Sequence, residues 1–171
     1  MWDVEREIVD SSGRPLLLFN TGLSPFSNFY NAPFKVHEEE YRTSEQYYQY
    51  WKAAYFGDLR RALAIRNEPR PGKCKHLAKN IQNFDPNVWR QVAPLIMQQA
   101  LLAKFRQHDA IRKKLVGTGD VILVEASPFS TYWGSGLDIF DDNHKELWKW
   151  RGANMLGTIL TQVRDILRDE K

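Results

Sequence analysis

Hydrophobic and polar positions along this chain follow two different periods, and the period of each segment predicts its secondary structure. Residues 15–19, PLLLF, form a short apolar run after a Ser-Ser-Gly turn and predict a buried strand. Residues 121–126, VILVEA, are β-branched and almost continuously apolar, which predicts a strand inside a sheet. Residues 34–36 and 41–43 flank an acidic turn at residues 37–40 and predict a small hairpin.

Helical spacing predicts most of the remaining chain. The first long helix starts at Thr43, whose distance to Gln46 is that of a capping box, and stops at Gly57. Other helices are predicted at residues 59–66 behind Asp58, 73–81, 86–106 behind Asp85, 109–116 and 154–168. No linker, repeat or low-complexity tract interrupts them. The segments therefore indicate one mostly helical domain, residues 1–171, with a small sheet.

The predicted helix at residues 43–57 combines charges with many rings. At about 100° per residue, Glu45, Gln49 and Lys52 share a sector of roughly 60°. The other directions are mainly aromatic, which predicts burial. Because an isolated buried charge is costly, the acid and the amine must pair, shift their pKa or line a polar cavity. A structural ion pair, or a lysine that reaches solvent past the rings, would explain the spacing as well as an active site would.

Two later features also suit a binding site. Glu125 lies near the end of the predicted strand at residues 121–126, where a carboxylate serves either chemistry or a salt bridge. The loop that follows offers Trp133 as a flat stacking surface, and Gly134 and Gly136 allow close backbone approach. This combination suits a nucleobase or a sugar, and an ordinary turn with an aromatic anchor fits it equally well.

Composition is that of an ordinary globular protein, with 43% hydrophobic and 26% charged residues. The single cysteine, Cys74, cannot form an internal disulfide, and the acidic start at residues 1–10 differs from a secretory signal. No apolar run approaches the roughly 18 residues that span a bilayer. We therefore expect a cytoplasmic protein with no membrane segment.

The net charge of +3 permits a phosphate-bearing ligand without requiring one. Basic residues concentrate between Arg60 and Lys79, either as a solvated helical surface or as a phosphate contact. The four histidines are dispersed, and Cys74 with His76 is a poor zinc spacing, so no metal is expected. Phosphate-cradling, dinucleotide-binding and serine-hydrolase motifs are all missing. The sequence therefore remains compatible with acid, base or amine chemistry that needs no cofactor.

A set of rare motifs in fixed order extends this picture across most of the chain. They are FSNF, SEQYYQYWKAAYFGD, LLAKF, LVEASP, YWGSG and RGANMLG, between about Pro25 and Arg164. In these motifs the sequence resembles the YbiA-like, or NADAR, family. The resemblance implies an α+β fold, mostly helical with a small sheet. It also implies hydrolysis of N-glycosidic bonds, which in this family means ADP-ribose on guanine bases of nucleic acid or ribosylamine intermediates of early riboflavin synthesis.

The resemblance and the helical wheel together identify the candidate site residues. The catalytic candidates are Glu45, Lys52 and Glu125, and the substrate-binding candidates are Phe26, Asn28, Tyr30, Gln49, Trp89, Trp133, Gly134, Gly136 and Asn154. Two departures from the family pattern concern binding. Ser130 stands where an Asp is common, and Ala78-Lys79 stands where Gly-Arg is common, which exchanges a fork-shaped phosphate contact for a point charge.

The charged helix face and the resemblance together predict cleavage of a bond between ribose and nitrogen, and the resemblance implies ADP-ribosylated guanine in nucleic acid as the favoured substrate. Glu45 would face the positive charge that develops on the sugar. Lys52 would form a Schiff base with the anomeric carbon, or would only bind phosphate or orient Glu45. The alternatives are a small phosphoribosyl substrate of the riboflavin type and a non-catalytic module that binds ADP-ribose or NAD. A function limited to binding a partner protein would not explain why Glu45, Gln49 and Lys52 share one helix face.

Overall fold

The computed structural model describes residues 4–170. Within this range the strands and helices are β1 Glu5–Val9, β2 Pro15–Phe19, β3 Phe34–Val36, β4 Glu39–Tyr41, α1 Ser44–Tyr55, α2 Leu59–Arg66, α3 Pro71–Leu77, α4 Pro86–Arg106, α5 Asp109–Gly117, β5 Ile122–Glu125 and α6 Met155–Asp169. The prediction of a mostly helical α+β fold with a small sheet is confirmed. None of the helices in this range is long and apolar enough to cross a membrane.

The described chain divides into two compact units. Residues 28–109 form one unit, and the segments on either side of them form the other. The prediction of a single domain includes residues 1–3 and 171, which lie outside the described range, and it stays a prediction. Each unit is described by itself below.

The flanking unit is built on a three-stranded sheet in the order β1-β2-β5. β2 is buried from Leu16 to Phe19, runs antiparallel to β1 and pairs in parallel with β5. The sequence prediction of β2 and β5 was correct, but it missed β1. That strand, EREIV, is an edge strand with charged residues and only partial burial, so its pattern resembles an exposed segment.

Helix α6 covers β5 through its amphipathic face. The predicted core residues of this helix are buried: Leu156, Ile159, Leu160, Val163 and Leu167. Just before the helix, Asn154 adopts a left-handed backbone with φ of 48°. Its side-chain Oδ1 accepts from the Glu125 N–H at 3.0 Å, and its Nδ2 donates to the Leu123 carbonyl at 2.9 Å. Asn154 therefore joins the start of α6 to the outer edge of β5.

Gly157 in the first turn of α6 sets how closely that helix approaches β5, and we expect Gly157→Ala to be strongly destabilising. A Cβ at this position would overlap the Leu123 carbonyl oxygen and the Asn154 amide. Backbone cannot yield as a flexible side chain can, so the expected loss is about 3 kcal/mol of unfolding free energy. Urea denaturation measures it. Gly117→Ala in α5 is the control, since its Cβ meets no atom within 4 Å; equal stability of both variants would contradict the prediction.

In the unit of residues 28–109, α1 lies at the centre and contacts α2, α3 and α4. The Thr43 hydroxyl accepts from the Gln46 N–H at 3.1 Å, which confirms the predicted start of the helix. The Gln46 side chain then accepts from the Arg42 N–H and donates to the carbonyls of Ile65, Arg66 and Glu68. One amide thus connects the beginning of α1 to the end of α2.

Two predicted boundaries in this unit are wrong in detail. The hairpin β3–β4 turns on only two residues, His37 and Glu38, with φ of 50° and 65°. Positive φ at both positions is the geometry of a type I′ turn, so the second strand starts at Glu39 and not at Tyr41. Helix α3 starts two residues before the predicted Lys73, because Pro71 suits the first helical position.

Candidate active site

Glu45 lies in the first turn of α1 and is only 7% exposed. Its Oε1 accepts a hydrogen bond of 2.8 Å from Gln49 Nε2, and its backbone N–H donates to the Asn28 carbonyl at 3.0 Å. Burial raises the pKa of this carboxyl, against the opposing effects of the Gln49 hydrogen bond and the charges of Lys75 and Lys52. The result is a fixed carboxyl group that retains its proton to a higher pH than an ordinary glutamate.

Lys52 follows two turns later on the same helix and is partly buried. Its Nζ lies 4.5 Å from the centre of the Phe84 ring, in a cation–π contact. Burial lowers the pKa of the amine, and the charge of Glu45 opposes that shift. The two groups therefore act on each other electrostatically, as their common helix face predicts. A lowered pKa increases the neutral fraction of an amine, which is its nucleophilic form.

An aromatic cluster lies beside Lys52 and includes Trp89. The Trp89 ring centre is 5.3 Å from that of Tyr48 and 6.3 Å from that of Phe56, and Phe56 is 5.2 Å from Phe84. Trp89 Nε1 donates to the Tyr48 hydroxyl at 2.7 Å. Trp89 is buried, so its polar atom and its ring position are both fixed within residues 28–109. The cluster gives Lys52 an apolar surrounding on that side.

Comparison with models of known protein families identifies the family of this chain. The model of the NADAR domain matches residues 19–168. The chain belongs to the NADAR domain family. Among the relatives of this NADAR protein is Protein irg-1 of Caenorhabditis elegans, 35% identical over 88% of the chain and 79% of that protein. The family resemblance in the sequence motifs is thereby confirmed.

Further relatives of this NADAR chain have names that state an activity. N-glycosidase R617 of Acanthamoeba polyphaga mimivirus is 34% identical over 84% of this chain and 88% of that protein. N-glycosidase YbiA of Escherichia coli K12 is 34% identical over 85% and 82%. The NMR structure of the E. coli protein YbiA superimposes with a TM-score of 0.73 at 30% identity, covering 90% of this chain and 86% of that one.

The remaining candidates of this NADAR protein lie in the flanking unit, and Glu125 is at their centre. The loop after β5 folds back on this residue, and the Ser130 hydroxyl lies 3.5 Å from Glu125 Oε2. The Gly134 N–H donates to the Ser130 hydroxyl at 3.1 Å, and a Cβ on Gly134 would lie 2.7 Å from the Glu125 carbonyl oxygen. Ser130 therefore helps to hold the loop against the end of β5.

Several of these flanking residues have clear structural contacts. Phe26 is fully buried and packs on Phe19, with ring centres 5.7 Å apart. A Cβ on Gly136 would meet Arg151 at 2.8 Å, and the Asn154 amide is occupied by β5. Trp133 packs edge-on against Tyr132 with ring centres 4.8 Å apart and is only partly buried. Contact of these residues with a substrate stays a prediction.

Within residues 28–109 the structure brings Glu45, Gln49 and Lys52 together on α1, and the Asn28 carbonyl contacts the Glu45 N–H. Trp89 belongs to the aromatic cluster whose Phe84 contacts Lys52, and Tyr30 lies near Lys104. Two lysines of this NADAR unit were not predicted individually. Lys75 on α3 was only part of the basic stretch, yet its charge affects the Glu45 carboxyl more than that of Lys52. Lys104 on α4 is completely buried, with Nζ 5.4 Å from the Tyr30 ring. In the described part of the chain, no group of three or more His, Cys, Asp and Glu side chains is arranged for a metal ion.

Proposed function

We propose that this NADAR protein is an N-glycosidase that cleaves the bond between a ribose and a nitrogenous base. The observation that carries the proposal is the pair on α1: burial raises the pKa of the Glu45 carboxyl and lowers the pKa of the Lys52 amine. Opposite shifts of this kind suit an acid–base group and a nucleophilic amine. The names of the R617 and YbiA relatives support the same reaction class.

The proposed reaction breaks the bond from the anomeric carbon to the base nitrogen. Positive charge builds on the sugar, and the carboxylate of Glu45 stabilises it. In direct hydrolysis, Glu45 takes a proton from water as the water oxygen bonds to the anomeric carbon, and the bond to the base breaks as this proton passes from Glu45 to the base nitrogen. In the covalent route, the neutral Lys52 amine bonds to that carbon instead, and the base leaves with one of the amine protons on its nitrogen. The remaining amine proton passes to the ring oxygen as the sugar ring opens to an imine, and water then releases the sugar and regenerates the lysine.

The favoured substrate is ADP-ribose attached to guanine in nucleic acid, with the phosphates held by the basic region of α2 and α3. Ion pairs engage three arginines of that region, Arg61 with Asp58, Arg66 with Glu39 and Arg70 with Glu68. The phosphate contact is therefore assigned to the exposed cations Arg60, Lys73, Lys75 and Lys79. Lys75 supports this assignment best, because its charge acts on the Glu45 carboxyl.

A product assay tests the function. The protein is incubated with an ADP-ribosylated guanine oligonucleotide and, separately, with a ribosylaminouracil phosphate, and mass spectrometry identifies the products. We expect release of ADP-ribose and an intact oligonucleotide from the first substrate. Cleavage of the second substrate alone would move the activity to the riboflavin type. Binding measured by calorimetry without cleavage of either substrate would instead favour a non-catalytic ADP-ribose module.

Lys52 is expected to form a covalent adduct during turnover. Borohydride added with substrate reduces an imine to a stable secondary amine, so the peptide that contains Lys52 should gain the mass of the reduced sugar. Lys52→Arg should lose the adduct and most turnover, because a guanidinium stays protonated. The exposed Lys113→Arg is the control and should retain both the adduct at Lys52 and the turnover. If no adduct forms and Lys52→Arg remains active, Lys52 has only a binding role.

A further inference from the structure

An open cavity of about 290 Å³ lies between the β3–β4 hairpin and the C-terminal end of α4. One wall is formed by residues 35–37 of the hairpin, and the other by Gln99, Leu102, Ala103, Arg106 and Gln107. Lys35, His37 and Arg106 carry basic side chains, and no residue that lines the cavity is acidic. The composition of the two walls therefore favours an anionic ligand.

Helical geometry separates this cavity from the candidate catalytic groups. The Tyr47 hydroxyl donates to Gln99 Oε1 at 2.7 Å, so the Tyr47 side chain extends from α1 to the wall of the cavity. At about 100° per residue, Tyr47 lies roughly 160° around α1 from Glu45. The cavity and Glu45 are therefore on opposite sides of α1, and a ligand in the cavity is independent of the proposed function.

Hydrogen bonds hold the two walls of the cavity together. Gln107 Oε1 accepts from the Lys35 N–H at 2.9 Å, and Gln107 Nε2 donates to the Lys35 carbonyl at 2.9 Å. His37 is the first residue of the two-residue turn, with φ of 50°, so the hairpin fixes its position. Because Tyr47 donates to the oxygen of the Gln99 amide, Gln99 keeps Nε2 as its donor group. The walls and their donors are thus in place before a ligand binds.

The basic groups of the hairpin wall are not engaged in ion pairs. Among the ion pairs between described residues, none includes Lys35 or His37. Glu40 is the cross-strand neighbour of Lys35, but neither Glu40 nor Glu38 lines the cavity. The helix dipole is sufficient to explain a cation in the last turn of α4, such as Arg106. It does not explain the basic residues that the hairpin places opposite that turn.

Apolar side chains beside the basic groups restrict the kind of anion. Val36, Leu102 and Ala103 line the cavity and are partly buried. An inorganic ion would leave this surface in water, whereas an organic group attached to the anion would cover it. Pockets for drug-sized ligands measure about 300 to 1,000 Å³, so this cavity suits a molecule no larger than one nucleotide. A phosphate monoester combines such an organic group with close to two negative charges and three acceptor oxygens.

We propose that this cavity is a second binding site, which takes a small phosphate monoester such as a nucleoside monophosphate. Lys35 and Arg106 contact the phosphate, and His37 and Gln99 donate hydrogen bonds to its oxygens. The organic group lies on the apolar surface around Leu102. Because the cavity is open to solvent, we expect a weak dissociation constant of about 0.1 to 1 mM.

An NMR titration of the whole protein with AMP tests the site and locates it. The backbone amide signals of residues 35–37 and the side-chain amide signals of Gln99 and Gln107 should shift with one common dissociation constant. Adenosine lacks the phosphate and inorganic phosphate lacks the organic group, so each should bind about 10-fold more weakly than AMP. Equal affinity for AMP and either of these probes would overturn the proposal. Shifts confined to the opposite side of α1, at Gln49, would also overturn it.

Substitution of the hairpin wall provides the second test. Lys35→Met keeps the apolar stem of an exposed side chain and removes its charge, so it should weaken AMP binding about 10-fold. His37→Asn should weaken binding about 3-fold and retain the turn, because asparagine tolerates positive φ. The exposed Lys113→Met on α5 is the matched control and should bind AMP as the wild type does. Wild-type affinity of Lys35→Met for AMP would show that the phosphate does not bind in this cavity.

Discussion

Glu45→Gln is expected to reduce turnover by about 100- to 10,000-fold while leaving substrate binding nearly unchanged. The substitution keeps the shape of the side chain and its capacity to accept the hydrogen bond from Gln49 Nε2. In the proposed reaction, it removes the negative charge that faces the sugar and the group that takes the proton from water. Single-turnover release of ADP-ribose measures the first effect, and calorimetry measures the second. Turnover at the wild-type rate would refute the role of Glu45.

Measuring the stability of Glu45→Gln distinguishes a loss of catalysis from unfolding of the variant. Burial raises the pKa of Glu45 in the folded state, so the folded protein binds the proton more tightly than the unfolded chain does. The free energy of unfolding therefore decreases as the pH rises from the usual pKa of a glutamate to the raised one. A neutral glutamine lacks this cost, and Glu45→Gln should be at least as stable as the wild type at neutral pH. Glu40→Gln, at an exposed position of β4, is the control and should keep its turnover.

Local features made α1 and its charged face predictable. The Thr43 cap and the Gly57 stop depend only on nearby residues, and the predicted helix agrees with Ser44–Tyr55. Helical geometry alone places Glu45, Gln49 and Lys52 on one face. The hydrogen bond between Gln49 and Glu45, and the effects of Glu45 and Lys52 on each other's pKa, follow from this placement.

Contacts between distant segments could not be predicted from spacing. The approach of Lys75 to Glu45 depends on how α3 packs on α1, and the Asn154 amide reaches β5 across 29 residues of sequence. β1 was missed because an edge strand with charged residues needs its partner strand to be recognised. These features are set by tertiary packing, which a single sequence does not display.

Lys104 was missed although its spacing gave a sign of burial. The buried residues of α4 are Trp89, Ala93, Met97, Ala100, Leu101, Lys104 and Phe105, which recur every three or four positions. Lys104 continues that row at a position where an apolar residue is expected. Because its side chain is charged, the pattern of apolar residues alone did not indicate that it is buried.

The second large effect is a change in how stability depends on pH when Lys104 is replaced by Met. Burial lowers the pKa of Lys104 to about 7, far below the 10.5 of an ordinary lysine. Between these values the unfolded chain binds the proton and the folded protein does not, so the free energy of unfolding rises with pH. Each pH unit contributes about 1.4 kcal/mol, which makes the total about 4 to 5 kcal/mol from pH 7 to 10.5. Below pH 7 the contribution of Lys104 is constant.

Urea denaturation at several pH values measures this effect as the difference between wild type and Lys104→Met. That difference should change by about 3 kcal/mol between pH 7 and 9.5, in the direction that favours the wild type at higher pH. The exposed Lys113→Met is the control, and its difference from the wild type should stay nearly constant. Parallel stability curves for wild type and Lys104→Met would contradict the lowered pKa.

The titration of Lys104 is also relevant to the proposed site, because its amine lies near two aromatic rings. Its Nζ lies 5.4 Å from the centre of Tyr30, a predicted substrate-binding residue, and 5.1 Å from that of Phe105. Cation–π attraction to these rings favours the charged amine, whereas burial disfavours it. If the rings dominated, the pKa would stay high and the stability difference would be flat up to pH 9.5. A slope that starts near pH 7 would establish that burial outweighs the rings and that Lys104 loses its charge within the physiological range.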